Sequence, residues 1–206
     1  GDLAEILPPR TPPELVERLN ALLSRNVKTS AVGLEIEFDK RDNIFTPTRG
    51  YYFDFNYGAY RDAVGSDVDY DWYELTSLSY FPITDQWRAG LRLGAEIVDN
   101  SDPLPPFATP AINLRGIPAA RYQGLKVGVA EGEVTWQPNQ RWSVLAFLGA
   151  GRAANSSSDF GDASTRITRG MGFRYQIARR YGFHMGIDVA RGPEDTVWYI
   201  QAGSAW

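Results

Sequence analysis

The chain has 206 residues, a formal net charge of -4 and no cysteine, which suits one large domain and excludes disulfides, thiolate metal sites and a catalytic thiol. A single histidine, His184, excludes a multi-histidine metal site as well, and the excess of acids leaves no broad cationic face for a nucleic-acid backbone. No run approaches ~18 apolar residues, so no spanning helix is expected. A spanning β-barrel stays open, because alternating strands keep hydropathy near that of a soluble protein, as the mean of -0.33 allows.

The opening "GDLAEILPPR" has neither a basic n-region nor an apolar h-region, so it reads as no signal peptide, in a chain that is mature or a fragment. Thr11-Pro12-Pro13-Glu14 has capping-box spacing with proline at the first helical position. Leu15, Leu19, Leu22 and Leu23 then share one stripe, and Asn26 can stop the helix. One amphipathic helix is predicted over 12–25, within a loop segment spanning 1–30. Its polar face is mixed in charge, which favours packing on the domain over anchoring at a membrane surface.

From Ala31 onward the period falls to two. In "VGLEIEFD" the residues Val32, Leu34, Ile36 and Phe38 oppose Gly33, Glu35, Glu37 and Asp39. "WRAGLRLGAEI" (87–97) and "YGFHMGIDV" (181–189) alternate in the same way, with Arg88, Arg92, Glu96, His184 and Asp188 on their polar sides. Further strands are predicted near 51–60, 72–81, 125–136, 142–151, 167–177 and 197–206. "FPITDQ", "QPNQR" and "IARRYG" are short connections, whereas those around 61–70, 99–124 and 153–164 are long and polar. Short turns at one end of a meander and long loops at the other are the asymmetry of outer-membrane barrels.

Aromatics collect at strand ends, among them Tyr51, Tyr52, Trp72, Tyr73, Tyr80, Phe81, Trp87, Trp136, Trp142, Tyr175, Tyr181, Trp198 and Trp206. Rings at both rims of an apolar band are what a bilayer interface selects. The polar faces carry ions that a dry core would accept only in pairs. The predicted fold is therefore all-β, an antiparallel up-and-down transmembrane barrel over 31–206. A soluble β-sandwich or calycin-like barrel has the same alternation with the faces exchanged. Ser77, Ser79 and Ser143 have only His184 as a base and no G-x-S-x-G elbow is present, so no enzyme is expected. By parity His184 faces the lumen, where it fills space.

Several segments together resemble the bacterial surface antigen family of outer-membrane barrels, which includes BamA and TamA. "FDKRDNIFTPTRGYYFDF", with Arg41, Asp42, Pro47 and Gly50, is similar to that family's strand, periplasmic turn and following strand. "LRGIPAARYQG" resembles its long inward-folded loop, and "RGMGFRY", "YGFHMGIDVA" and "WYIQAGSAW" resemble its last three strands. The resemblance implies the C-terminal part of a larger barrel of roughly sixteen strands, located in the bacterial outer membrane and acting in protein insertion or translocation there. The implied partners are outer-membrane lipids, unfolded outer-membrane protein clients, and periplasmic domains or accessory proteins. No cofactor and no metal are implied.

The loop motif Leu114, Arg115, Gly116 and Ile117 is then expected inside the lumen. Arg115, with its rigid fork of donors, would pair with wall carboxylates on the following strand, Glu133 and its neighbour Glu131. In "FLGAG" (147–151) the family's acid is missing, which leaves Arg115 to Glu133 or to backbone carbonyls. Trp198, Ile200, Gly203 and Trp206 resemble the C-terminal strand signal by which such barrels are recognised for assembly, and Trp206 also suits an interface anchor. The alternative to an insertase is a structural or pore-forming barrel that closes on itself or by self-association.

Overall fold

The computed structural model describes residues 28–100, 104, 106–178, 183–203 and 205–206. The helix expected over 12–25 lies outside them. Nine strands form one sheet in chain order: β1 (Ala31–Asp39), β2 (Gly50–Tyr60), β3 (Tyr70–Pro82), β4 (Trp87–Asn100), β5 (Lys126–Trp136), β6 (Trp142–Ala154), β7 (Arg166–Ala178), β8 (Phe183–Arg191) and β9 (Thr196–Ala202). Every pairing is antiparallel and between sequence neighbours. No described helix is long and apolar enough to cross a membrane.

The described residues do not close the expected barrel. Among the described residues β1 pairs only with β2 and β9 only with β8, so the sheet keeps two open edges. β9 is also shorter than the predicted 197–206. Gly203 takes φ +83, a left-handed conformation that glycine adopts freely, and this ends the strand. Its N–H donates to the His184 carbonyl at 2.7 Å.

Exposure separates the two faces. Leu34, Leu91 and Ile187 are 56%, 39% and 37% exposed, while Asp188 is 0% exposed. The oily rows therefore point outward, and the ionic rows from β4 to β8 line a concave interior. This is the reverse of a soluble barrel's core. Large aromatics gather on the outward face at the short-turn end, where Trp87 stacks on Trp136 at 6.0 Å and Trp142 meets Tyr175 at 4.8 Å. Not every ring belongs to such a girdle. Trp72 faces inward and donates its indole N–H to Glu96 at 2.8 Å, and Tyr80 is buried on the concave side. A hydrogen-bonding ring serves the polar interior as well as the interface, so counting rings at strand ends overstates the girdle.

The β1–β2 connection is the exception among the short turns. Asp42 holds it together, accepting the Thr48 and Arg49 N–H groups at 2.9 and 3.2 Å and the Thr48 hydroxyl. The connection reaches across to β8, with Phe45 set edge-on against Phe183 at 5.9 Å, so the curled sheet is bridged at this end. Partial burial raises the Asp42 pKa, but the Thr48 and Arg49 hydrogen bonds outweigh it and hold the carboxyl below its usual value. The stabilisation is thus complete above the unfolded value near 4 and lost as pH falls through the lower folded value. The protection of the Thr48 and Arg49 amides against exchange, relative to the free-peptide rate at the same pH, should fall only below about pH 4, and Asp42→Asn should abolish that pH step.

Candidate functional site: an arginine-tipped loop on the concave wall

The β4–β5 connection folds back over the concave face. Its two arms are tied by Ile112 N–H to the Tyr122 carbonyl at 2.9 Å and Gly124 N–H to the Pro110 carbonyl at 3.1 Å. At the tip, Leu114 to Ile117 form a turn closed by Ile117 N–H to the Leu114 carbonyl at 3.1 Å, with Gly116 at φ +92 in the third position. That position requires positive φ, and the turn places Arg115 at its corner. A Cβ on Gly116 would lie 2.9 Å from the Gly192 nitrogen, so the tip touches the β8–β9 hairpin as backbone on backbone. The Gly116 N–H also donates to the Tyr199 hydroxyl on β9 at 2.9 Å.

Leu114 and Ile117 are buried with Ile112 and Val127, which gives the loop a small apolar footing. The two glycines of "FLGAG" make room for it. A Cβ at Gly149 would sit 3.2 Å from Leu114 Cδ2, and one at Gly151 would sit 2.8 Å from Ile112 Cγ2. Leucine and isoleucine of the loop thus fill the space beside the strand that lacks the family's acid.

Arg115 is 8% exposed and uses its whole fork. Nε and Nη2 donate to Glu131 Oε1 at 3.1 and 2.8 Å, Nη2 donates to Glu133 Oε2 at 2.8 Å, and Nη1 donates to Asp188 Oδ2 at 3.1 Å. The guanidinium carbon lies 3.5 Å from the centroid of the Phe147 ring, so one flat face is stacked as well. Arg174 binds the same Asp188 through both terminal nitrogens, with Nη2 to Oδ2 at 2.9 Å. Three carboxylates thus meet two guanidiniums. Glu131 Oε1 also accepts the Trp206 indole N–H, while Glu131 Oε2 has no hydrogen-bond partner among the described residues.

The structure thus brings Arg115 together with Glu131 and Glu133 on β5. It adds four residues that the sequence did not assign to this cluster: Asp188, Arg174, Phe147 and Tyr199. Asp188 was visible as the polar position of an alternating strand, but 73 residues separate it from Arg115, and only strand order and sheet curvature make them neighbours. The residues of the C-terminal strand separate. Trp198 and Ile200 lie in β9 on the outward face, at 70% and 82% exposure, whereas Gly203 and Trp206 lie beyond the strand. Trp206 turns inward, receiving the Tyr80 hydroxyl on its carbonyl at 2.6 Å and covering Gly90, where a Cβ would come within 2.6 Å of the indole. It is not placed as an outward interface anchor.

Ser77 and Ser79 share the outward parity of Leu75 and Phe81, opposite in face to the buried His184. The Ser143 hydroxyl is buried with no partner among the described residues, so no base engages it.

Residues 9–109 match the Omp85 superfamily domain. The first half of the chain is therefore similar to the Omp85 superfamily domain. Its fold is similar to the crystal structure of BamA from Haemophilus ducreyi lacking POTRA domains 1-3, with a TM-score of 0.62 and 13% sequence identity. That similarity covers 90% of this chain and 45% of the BamA chain, so the chain spans less than half of the solved relative. No curated protein sequence matches it. The matched residues take in β1 to β4, and the arginine-tipped loop follows directly after them.

Proposed function

We propose that this chain is the C-terminal part of a larger outer-membrane barrel that inserts or translocates other proteins, and that it does no covalent chemistry. The observation that carries the reading is the odd strand number and the open edges of the sheet among the described residues. In an antiparallel meander β1 and β9 run in the same direction. Closing the sheet on itself, or joining two copies in one membrane orientation, would therefore pair strands in parallel. An all-antiparallel barrel needs an odd number of further strands, and this argues against the self-closing or self-associating pore.

An open edge in hydrocarbon leaves backbone groups without partners, at several kcal/mol each. The free edge of β9 is thus a template on which an incoming strand can form a ladder. The arginine-tipped loop would hold the wall behind that edge, because it grips β5 and β8 and touches β9 through Tyr199. Periplasmic domains and accessory proteins would deliver the clients.

This chain has no cysteine, so an introduced thiol is unique within it. In the full-length protein carrying Gln201→Cys, a client stalled during folding, with one cysteine in its terminal strand, should form a disulfide with β9. If β9 forms no disulfide with the stalled client, the insertase reading fails.

A further inference from the structure

On the outward face, at the long-loop ends of β7 and β8, Arg169 lies directly opposite Arg191. Arg169 sits between Ile167 and Met171, which share its parity and are 58% and 65% exposed. Like charges directly opposite in a ladder repel each other, and a guanidinium among lipid-facing side chains is costly unless it reaches a polar partner. Among the described residues neither arginine forms an ion pair. Among the described residues the Arg191 side chain donates only to the Thr196 hydroxyl, at 3.2 Å. Glu194, in the adjacent hairpin, is engaged by Arg121 and Tyr122. Arg152 of β6, two outward positions nearer the rim, is met by neutral acceptors alone, the Thr165 hydroxyl at 2.7 Å and the Gly161 carbonyl at 2.9 Å. Arg169 and Arg191 thus form a cationic pair near the rim, with apolar side chains directly below them.

We propose that Arg169 and Arg191 clasp the phosphomonoester headgroup of an outer-leaflet lipid, whose acyl chains lie down the outward face over Met171, Val189 and Ile187. The assignment rests on the membrane reading of the sheet. One interfacial arginine is served by water and any headgroup, but two in register need an anion between them. A phosphomonoester dianion offers three free oxygens to two planar forks, whereas a phosphodiester offers a single charge and two free oxygens.

The test uses the full-length protein and its Arg169→Gln/Arg191→Gln variant in phosphatidylcholine nanodiscs doped with phosphatidic acid or phosphatidylglycerol, with retained lipid read by native mass spectrometry. The wild-type protein should retain phosphatidic acid roughly tenfold better than the variant does, and clearly better than phosphatidylglycerol. Inorganic phosphate at the same concentration should not displace it. Equal retention by the variant, equal retention of the two lipids, or displacement by free phosphate would each overturn the proposal. Heat-modifiable migration of both proteins reports bilayer insertion separately. If both insert and retention is unchanged, only the lipid clasp fails; if neither inserts, the membrane reading fails with it.

Discussion

Arg115→Ala should destabilise the folded barrel by about 3–5 kcal/mol, the range observed when one partner of a buried ion pair is removed. The cost arises from what is left behind. Glu131 and Asp188 are 1% and 0% exposed, and each would lose a charged donor with no route to water. Glu131 would retain the Trp206 indole and Asp188 would retain Arg174, so the loss should stop short of complete unfolding. The midpoint of urea unfolding, followed by tryptophan fluorescence in lipid vesicles, measures it. Arg115→Lys should recover only part of the loss, because an ammonium cannot fork to three carboxylates or lie flat on Phe147. Glu133→Gln should cost far less, since that side chain is 14% exposed and its amide oxygen still accepts from Arg115. If Arg115→Ala leaves the midpoint unchanged, the loop is not fastened by this cluster.

The predicted and observed strands show which physics is local. β1 and β4 alternate strictly, and a period of two needs no knowledge of neighbours, so both could be read directly. "YELTSLSY" in β3 chose no face because both faces are used: Leu75 is outward, while Leu78 is buried inside. Arg115, Glu131 and Glu133 were legible together because a tight turn and the strand after it are near in sequence. Asp188 was not, since nothing in a strand's own residues states which other strand it will face across a curled sheet. Trp206 shows a further limit. Alternation from Trp198 onward carried the predicted strand to the end, but a glycine that adopts positive φ at no cost ended it at Ala202. Open edges are also invisible to periodicity, which reports faces and never counts partners.

Glu131 joins two parts of the molecule that the sequence keeps apart. The same oxygen takes the tip of the long loop and the indole of Trp206, while the loop's Gly116 holds Tyr199 of β9. Loop position and the end of the sheet are therefore energetically linked, because one carboxylate oxygen cannot be optimal for all its donors when any of them moves.

Leu91→Arg should cost about 2–4 kcal/mol of folding free energy in lipid vesicles, the penalty for a cation on the lipid face near mid-membrane. Leu91 lies in the middle of β4, outward and 39% exposed, between Gly90, which Trp206 covers from inside, and Arg92, which donates to the Asn113 carbonyl. Val32→Arg, on the same outward face but at the long-loop end of β1, should cost only ~0–1 kcal/mol, because the penalty fades toward the interface. The contrast separates depth from mere exposure, since Val32 is more exposed than Leu91, at 63%. Were this face in water, both substitutions would fall within about 0.5 kcal/mol of neutral. Two equal small effects would remove the outward-apolar assignment, and with it both the insertase reading and the lipid clasp.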